Sequence, residues 1–140
     1  MTDLKYLSVS GGEISDIDFV NVEALKNLPS LTSLRLHEFG TVDLSFLKEM
    51  QRLDSFYCGY ANEVFSADSI SCLVNLSELT LIGFEVDNLD FLKPLNKDLW
   101  LDLCTMKLQH EIDDSIIKAF CNRSITENVV QGKMASWNEK

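Results

Sequence analysis

The chain reads as an α/β fold: short parallel strands stacked side by side and joined by short helical or 3₁₀ crossovers. Three observations predict it. An L-x-x-L-x-L pattern begins at Leu4 (Leu4, Leu7, Val9), Leu31 (Leu31, Leu34, Leu36), Leu53 (Leu53, Phe56, Cys58) and Leu76 (Leu76, Leu79, Leu81), and a degraded copy begins at Asp98, keeping Leu101 and Leu103. The starts lie 27, 22, 23 and 22 residues apart, a period that marks stacked units unable to bury their apolar faces alone. The connecting segments carry aligned columns of their own: Leu25, Leu47, Ile70 and Leu92 six residues before the next start, and Leu28, Met50, Leu73 and Leu95 three residues before it.

Within the repeated pattern the last two apolar residues are two apart, which puts them on one side of a strand but on different faces of a helix. Strands are therefore predicted near residues 6–10, 33–37, 55–59, 78–82 and 100–104. Parallel neighbours need a crossover. The two columns spaced by three suit a single helical or 3₁₀ turn with one buried edge, and Val22, Leu44, Ala67 and Leu89 continue the inner row. Each large apolar side chain so buried contributes about 1.5–3 kcal/mol, which makes these columns the main source of stability. Ser45 before Phe46-Leu47 and Asp90 before Phe91-Leu92 are expected to accept from the orphan N–H groups that open the turns. Pro29 and Pro94 fall at or just beyond the turn ends, where further helix is unwanted.

The first crossover is longer, and residues 22–28 read as a true helix. After Leu103 the period lapses. Asp113-Asp114 ahead of Ser-Ile-Ile-Lys-Ala-Phe predicts an N-capped amphipathic helix with Ile116, Ile117 and Phe120 inward. A sixth strand at Ile125–Val130 is left open. The tail is expected to cover the C-terminal end of the stack, as terminal units must. The whole of 1–140 reads as one domain, with repeats over about 4–106 and a cap over about 107–140.

These spaced leucines, followed by Val42-Asp43-Leu44-Ser45-Phe46-Leu47 and by Val86-Asp87-Asn88-Leu89-Asp90-Phe91-Leu92, resemble the leucine-rich repeat family. The 22-residue step is closest to its short-repeat, internalin-like class. The resemblance covers roughly residues 4–106 and implies a curved solenoid with a parallel sheet on its concave side. One column departs from the family, which places Asn three residues after the last strand leucine. Here that column is Gly12, Phe39, Ala61, Phe84 and Met106. A different turn is expected, with Phe39 and Phe84 stacked as a spine and the backbone polar groups partnered elsewhere.

Composition narrows the function. A 46% hydrophobic content supports a real core, and no apolar run reaches the roughly 18 residues that span a membrane. The N-terminus has no basic-then-apolar leader, so a soluble cytoplasmic protein is expected. Cys58, Cys72, Cys104 and Cys121 show no metal-ligand or disulfide spacing and read as reduced thiols, with Cys58 as a small core hydrophobe. The net charge of −10 argues against nucleic-acid binding, which needs a basic stripe, and fits a basic protein partner. It equally suits a surface that carboxylates keep in solution.

The residues between the leucines face outward. They form three columns: Tyr6, Ser33, Ser55, Glu78, Trp100; then Ser8, Arg35, Tyr57, Thr80, Asp102; then Ser10, His37, Gly59, Ile82, Cys104, with Tyr60 one turn later. Aromatics and arginine among small residues are the usual composition of protein-binding hot spots. Tyr6 and Trp100 also suit shielding the ends of the stack, whereas Tyr57 should lie mid-sheet among small neighbours. A second feature is an acidic rim where chain leaves each strand: Glu13, Glu38, Glu63 and Glu85, followed by Asp16, Asp43 and Asp87. From Leu53 to Leu92 there is no Lys or Arg. Screening limits such a rim to about 8 Å at physiological salt, so it steers and orients a partner.

Nothing in the sequence points to catalysis. His37 and His110 have no nucleophile or paired acid at a motif spacing, and no phosphate-cradling glycine loop or zinc-ligand pair is present. His37 beside Glu38 is discounted as a metal site because adjacent strand residues point to opposite faces. No cofactor is expected. The reading is a protein-binding module, monomeric when free, whose face and rim engage a basic protein. Its most concrete form is an immunity protein covering the active site of a toxin nuclease, which must itself be basic to hold phosphates. Small leucine-rich repeat proteins found as immunity partners are similar in size and character. The rivals are a scaffold or regulatory subunit docking on a larger host, and an enzyme using Cys104, Asp102 and His37.

Overall fold

The computed structural model describes residues 3–11, 25, 27–83, 85–104, 107–108, 114–120 and 122–125. It is an α/β structure built on a parallel sheet. The main sheet has six strands, β1 (Tyr6–Ser10), β2 (Ser33–His37), β4 (Ser55–Gly59), β6 (Glu78–Ile82), β8 (Trp100–Cys104) and β10 (Asn122–Ile125), lying side by side in chain order. All five pairings are parallel. Two short ribbons follow the strand exits: β3 (Thr41–Asp43) with β5 (Glu63–Phe65), and β7 (Glu85–Val86) with β9 (Lys107–Leu108). The five strands predicted from the repeat occupy their expected residues.

The register is that of the sequence columns. Leu7, Leu34, Phe56, Leu79 and Leu101 are partners in one row, and Val9, Leu36, Cys58, Leu81 and Leu103 in another. From Leu34 onward these side chains are at most 1% exposed, while Leu7 and Val9 are only partly buried. The sheet's other face carries the three outward columns in the same register.

The crossovers contain 3₁₀ turns, Leu44–Glu49, Ala67–Cys72 and Asp90–Leu92, and their columns point inward. Leu47, Ile70 and Leu92 are fully buried, as are Met50, Leu73 and Leu95 to within 3%. Backbone bonds recur at equivalent places: Leu31, Leu53 and Leu76 donate to Leu28, Met50 and Leu73 at 3.0–3.2 Å. Asp54 and Trp100 likewise donate to Thr32 and Ser77 of the preceding repeat, each at 2.7 Å. The helix read over 22–28 lies mostly outside the described residues; Leu28 N donates to Leu25 O at 3.2 Å.

The turn caps differ from expectation. Asp43, not Ser45, opens the first turn, its carboxylate accepting from Ser45 N at 3.0 Å. Asn88 does the same for Asp90 N at 2.8 Å. In each case a short Asx side chain two residues upstream reaches the orphan N–H, so Ser45 and Asp90 are the donors. The missing asparagine column is replaced by apolar filling. Phe39 and Ala61 are buried, and Phe84, the other member of the expected stack, lies outside the described residues. Backbone satisfies backbone instead: Asn62 N donates to Phe39 O at 3.2 Å and Glu63 N to Gly40 O at 2.9 Å.

Helix α1 (Asp114–Lys118) buries Ile116 and Ile117, and Phe120, two residues past its end, is buried as well, so the three predicted inward residues are inside. The sixth strand forms at Asn122–Ile125, meeting the candidate stretch Ile125–Val130 only at Ile125, and pairs with β8 through Asn122↔Trp100. Trp100 is therefore not at the sheet's edge. Its shielding role falls away, and its 48% exposure lies over a sheet interior. No helix among the described residues is long and apolar enough to cross a membrane.

A candidate protein-binding face

Four of the strands leave the sheet through the same device. Gly11, Glu38, Tyr60 and Gly83 follow strands β1, β2, β4 and β6, and their N–H groups donate to His37, Gly59, Ile82 and Cys104 of the next strand at 2.7–3.0 Å. Glu38, Tyr60 and Gly83 are left-handed, with φ of 61°, 56° and 71°. Glycine suits that conformation at Gly83; for Glu38 and Tyr60 it costs about 1–2 kcal/mol each. Left-handed backbone also re-aims their side chains, and both return toward His37.

The result is a cluster at the exit of β2 and β4. Arg35 and Tyr57 are register partners, and the guanidinium carbon of Arg35 lies 3.8 Å above the Tyr57 ring centre. The His37 ring is 5.8 Å from that of Tyr57 and meets Tyr60 edge-on at 5.2 Å. Glu38 Oε1 is 3.0 Å from His37 Nδ1. Alternation of strand faces does not apply here, because Glu38 stands past the strand end at positive φ. The two side chains therefore meet, although the strand alternation used to discount a metal site there would have kept them apart. Among the described residues no group of three potential metal ligands gathers around it or elsewhere.

Gly59 makes the cluster possible. A Cβ there would stand 2.9 Å from Tyr57 Oη and 3.0 Å from its Cε1. The Tyr57 ring therefore lies along its own strand over Gly59, braced by Arg35, in the mid-sheet position among small neighbours that the sequence predicts. Partial burial of this ring raises the Tyr57 hydroxyl above the usual phenol pKa, with the Arg35 charge opposing. In the same column Asp102 is half-buried, and burial raises its carboxyl too. The Cys58 thiol behind the face is fully enclosed and pushed up to about 12, as suits a core residue.

The remaining predicted residues are dispersed. Tyr6, 57% exposed and on the edge strand, and Trp100, one strand in from the other edge, share one ladder row with Ser33, Ser55 and Glu78 between them. Four strand spacings of about 4.8 Å put them roughly 19 Å apart, which frames a wide face rather than a pocket. Glu78 is exposed beside Trp100, its register partner. The acidic rim divides. Glu63, Glu85 and Asp87 are exposed and line a groove together, Glu38 turns to His37, and Asp43 caps its turn. Glu13 and Asp16 lie outside the described residues. Sequence reasoning missed Gly59 as a positioning residue and Phe65 as an exposed aromatic; the signal for Phe65 was the short alternation Glu63-Val64-Phe65, in which Val64 pairs inward with Val42.

Compared with protein-family models, with curated proteins and with solved structures, the chain has no match.

Proposed function

We propose that the chain is a divergent leucine-rich repeat solenoid that acts by binding another protein through the displayed face of its sheet. The observation that carries this reading is the Arg35–Tyr57–His37–Tyr60 cluster. It is built partly on non-glycine residues held left-handed where the next repeat uses Gly83, and conformational strain kept at a surface cluster points to function. Aromatic and arginine side chains are the residues from which binding anchors are made.

The most concrete form is an immunity protein that neutralises a basic toxin, a nuclease, by covering its active site. The net charge of −10 supports it, since opposite fields speed encounter and suppress wrong partners. The test is to mix the protein with purified toxin nucleases and follow substrate cleavage. Stoichiometric inhibition of one of them, with an association rate that falls as salt rises, is the expected result. An association rate unchanged from low to high ionic strength would instead favour a scaffold subunit whose acidity is incidental.

A further inference from the structure

The displayed face holds one positioned cation. Arg35 is the one Lys or Arg in the outward columns of β1, β2, β4, β6 and β8. It is exposed, and among the described residues no carboxylate pairs with its side chain. Around it in the register stand Ser8 and Tyr57 in its own row, Ser33 and His37 on its own strand, and Tyr6 and Ser55 diagonally. None of these is acidic. Glu38, the carboxylate nearest in sequence, lies 3.0 Å from His37 and is engaged there. The carboxylates on the face, Glu78 and Asp102, stand two and three strands from β2, roughly 10–14 Å by strand spacing.

The Tyr57 ring fixes where this charge is presented. With its guanidinium carbon 3.8 Å above the ring centre, Arg35 has given up rotamer freedom before any partner arrives. Tyr57 is itself seated over Gly59, where a Cβ would stand 2.9 Å from the tyrosine hydroxyl. A stacked guanidinium keeps its N–H donors at the edge of its plane, and their fork matches the two oxygens of a carboxylate. The hydroxyls of Ser8, Ser33 and Ser55 border the same spot and are of the kind that donates to such an anion.

We propose that this spot takes the carboxylate of an Asp or Glu side chain that the partner protein sets onto the face. This deepens the protein-binding reading and rests on it. In that reading the partner's overall field is basic; its contact residue at Arg35 is acidic. One guanidinium among neutral hydroxyls matches a single negative charge. A phosphate dianion calls for a second cation, and the outward columns offer no other Lys or Arg. A partner lysine or arginine placed here meets a like charge and is rejected. The carboxylate sets the partner's register on the sheet, while the net charge of −10 governs its approach.

The experiment is an NMR titration of the isotope-labelled full chain with acetyl-Gly-Glu-Gly-amide, reading arginine Nε–Hε and backbone amide signals. The glutamine and lysine peptides are controls. A saturating shift at the Arg35 Nε–Hε signal and in the amides of residues 33–37 and 55–57, with the glutamate peptide only, is expected. Arg52, exposed on a turn, is the internal reference. An equal shift there would mean diffuse attraction and overturn the proposal, as would no saturation at Arg35 or an equal response to the glutamine peptide. Arg35→Lys keeps the charge and loses the fork, so it should weaken binding about fivefold or more by the amide shifts; Arg35→Gln should abolish it. The side chain is exposed, so both variants should fold, and thermal melts check this. A phosphoserine peptide bound more than about tenfold tighter would overturn the carboxylate assignment in favour of a phosphorylated partner. In the cleavage assay, inhibition of a nuclease that is lost in Tyr57→Ala but unchanged in Arg35→Gln would sink the carboxylate and leave the protein-binding reading standing.

Discussion

Replacing Gly59 by alanine separates display of the Tyr57 ring from folding. The added Cβ would lie 2.9–3.1 Å from the Tyr57 hydroxyl oxygen, Cε1 and Cζ. Carbon contacts settle at about 3.5–4.0 Å, so the ring has to move by roughly half an ångström or more. It is the far end of a flexible side chain on a surface and can do so. Among the described glycines only Gly83 has positive φ, so alanine strains no backbone at 59 and should stabilise by about 0.4–1 kcal/mol through the unfolded chain. Against this stands the Arg35–Tyr57 stack at 3.8 Å, worth about 0.5–1 kcal/mol at an exposed site. The two nearly cancel. The melting temperature should change by less than about 2 °C. Binding of the protein partner should nevertheless weaken about tenfold, or about 1.4 kcal/mol. The Tyr57 hydroxyl, now raised chiefly by burial, should titrate closer to an ordinary phenol by tyrosine absorbance. A melting temperature lowered by more than about 5 °C, with binding intact, would show that Tyr57 is a packing residue and refute the reasoning.

Three further outcomes are expected. Tyr57→Ala should leave thermal stability nearly intact yet cost on the order of 2 kcal/mol in partner affinity, by titration calorimetry. Leu79→Ala empties a fully buried row position between β4 and β8 and should destabilise by about 2–5 kcal/mol in denaturant melts; similar folding losses from both variants would put the inward and outward rows out of register. Asp102 has its carboxyl pKa raised by burial, so the folded state binds its proton more tightly than the unfolded chain. Its ionisation therefore lowers stability as pH rises from the ordinary carboxylate value through the raised one. Asp102→Asn should melt higher than the parent at neutral pH, with the difference closing as pH falls below the usual carboxylate range. An unchanged difference across that range would mean the effect is not ionic.

The sheet was legible because a period of two, repeated in register five times, leaves one solution for which side chains are inside. Leu34, Leu36, Leu79 and Leu81 are buried for that reason. The caps were misplaced by two residues because Asp43 and Asn88 reach forward along the chain, and local spacing alone does not say where a 3₁₀ turn begins. Strand β10 escaped because Asn122-Arg123-Ser124 carries no alternating apolar pattern and is held by pairing with β8. The site was legible as columns and not as contacts. Arg35, His37 and Tyr57 were placed on one face, but the lean of Tyr57 over Gly59 and the turn of Glu38 toward His37 depend on side-chain torsion and a left-handed residue. Nothing in the identity of Glu38 or Tyr60 marks that conformation; only alignment with Gly83 does.

The most direct measurement is amide hydrogen exchange on the protein free and bound to its partner. Slowed exchange in residues 33–38, 55–66 and 78–82 on binding, with the turns at 44–49 and 67–72 unchanged, is expected of a partner seated on the displayed face and its rim. Protection confined to those turns, with the strand exits unaffected, would put the partner on the opposite side of the sheet and contradict the assignment of the Tyr57 face.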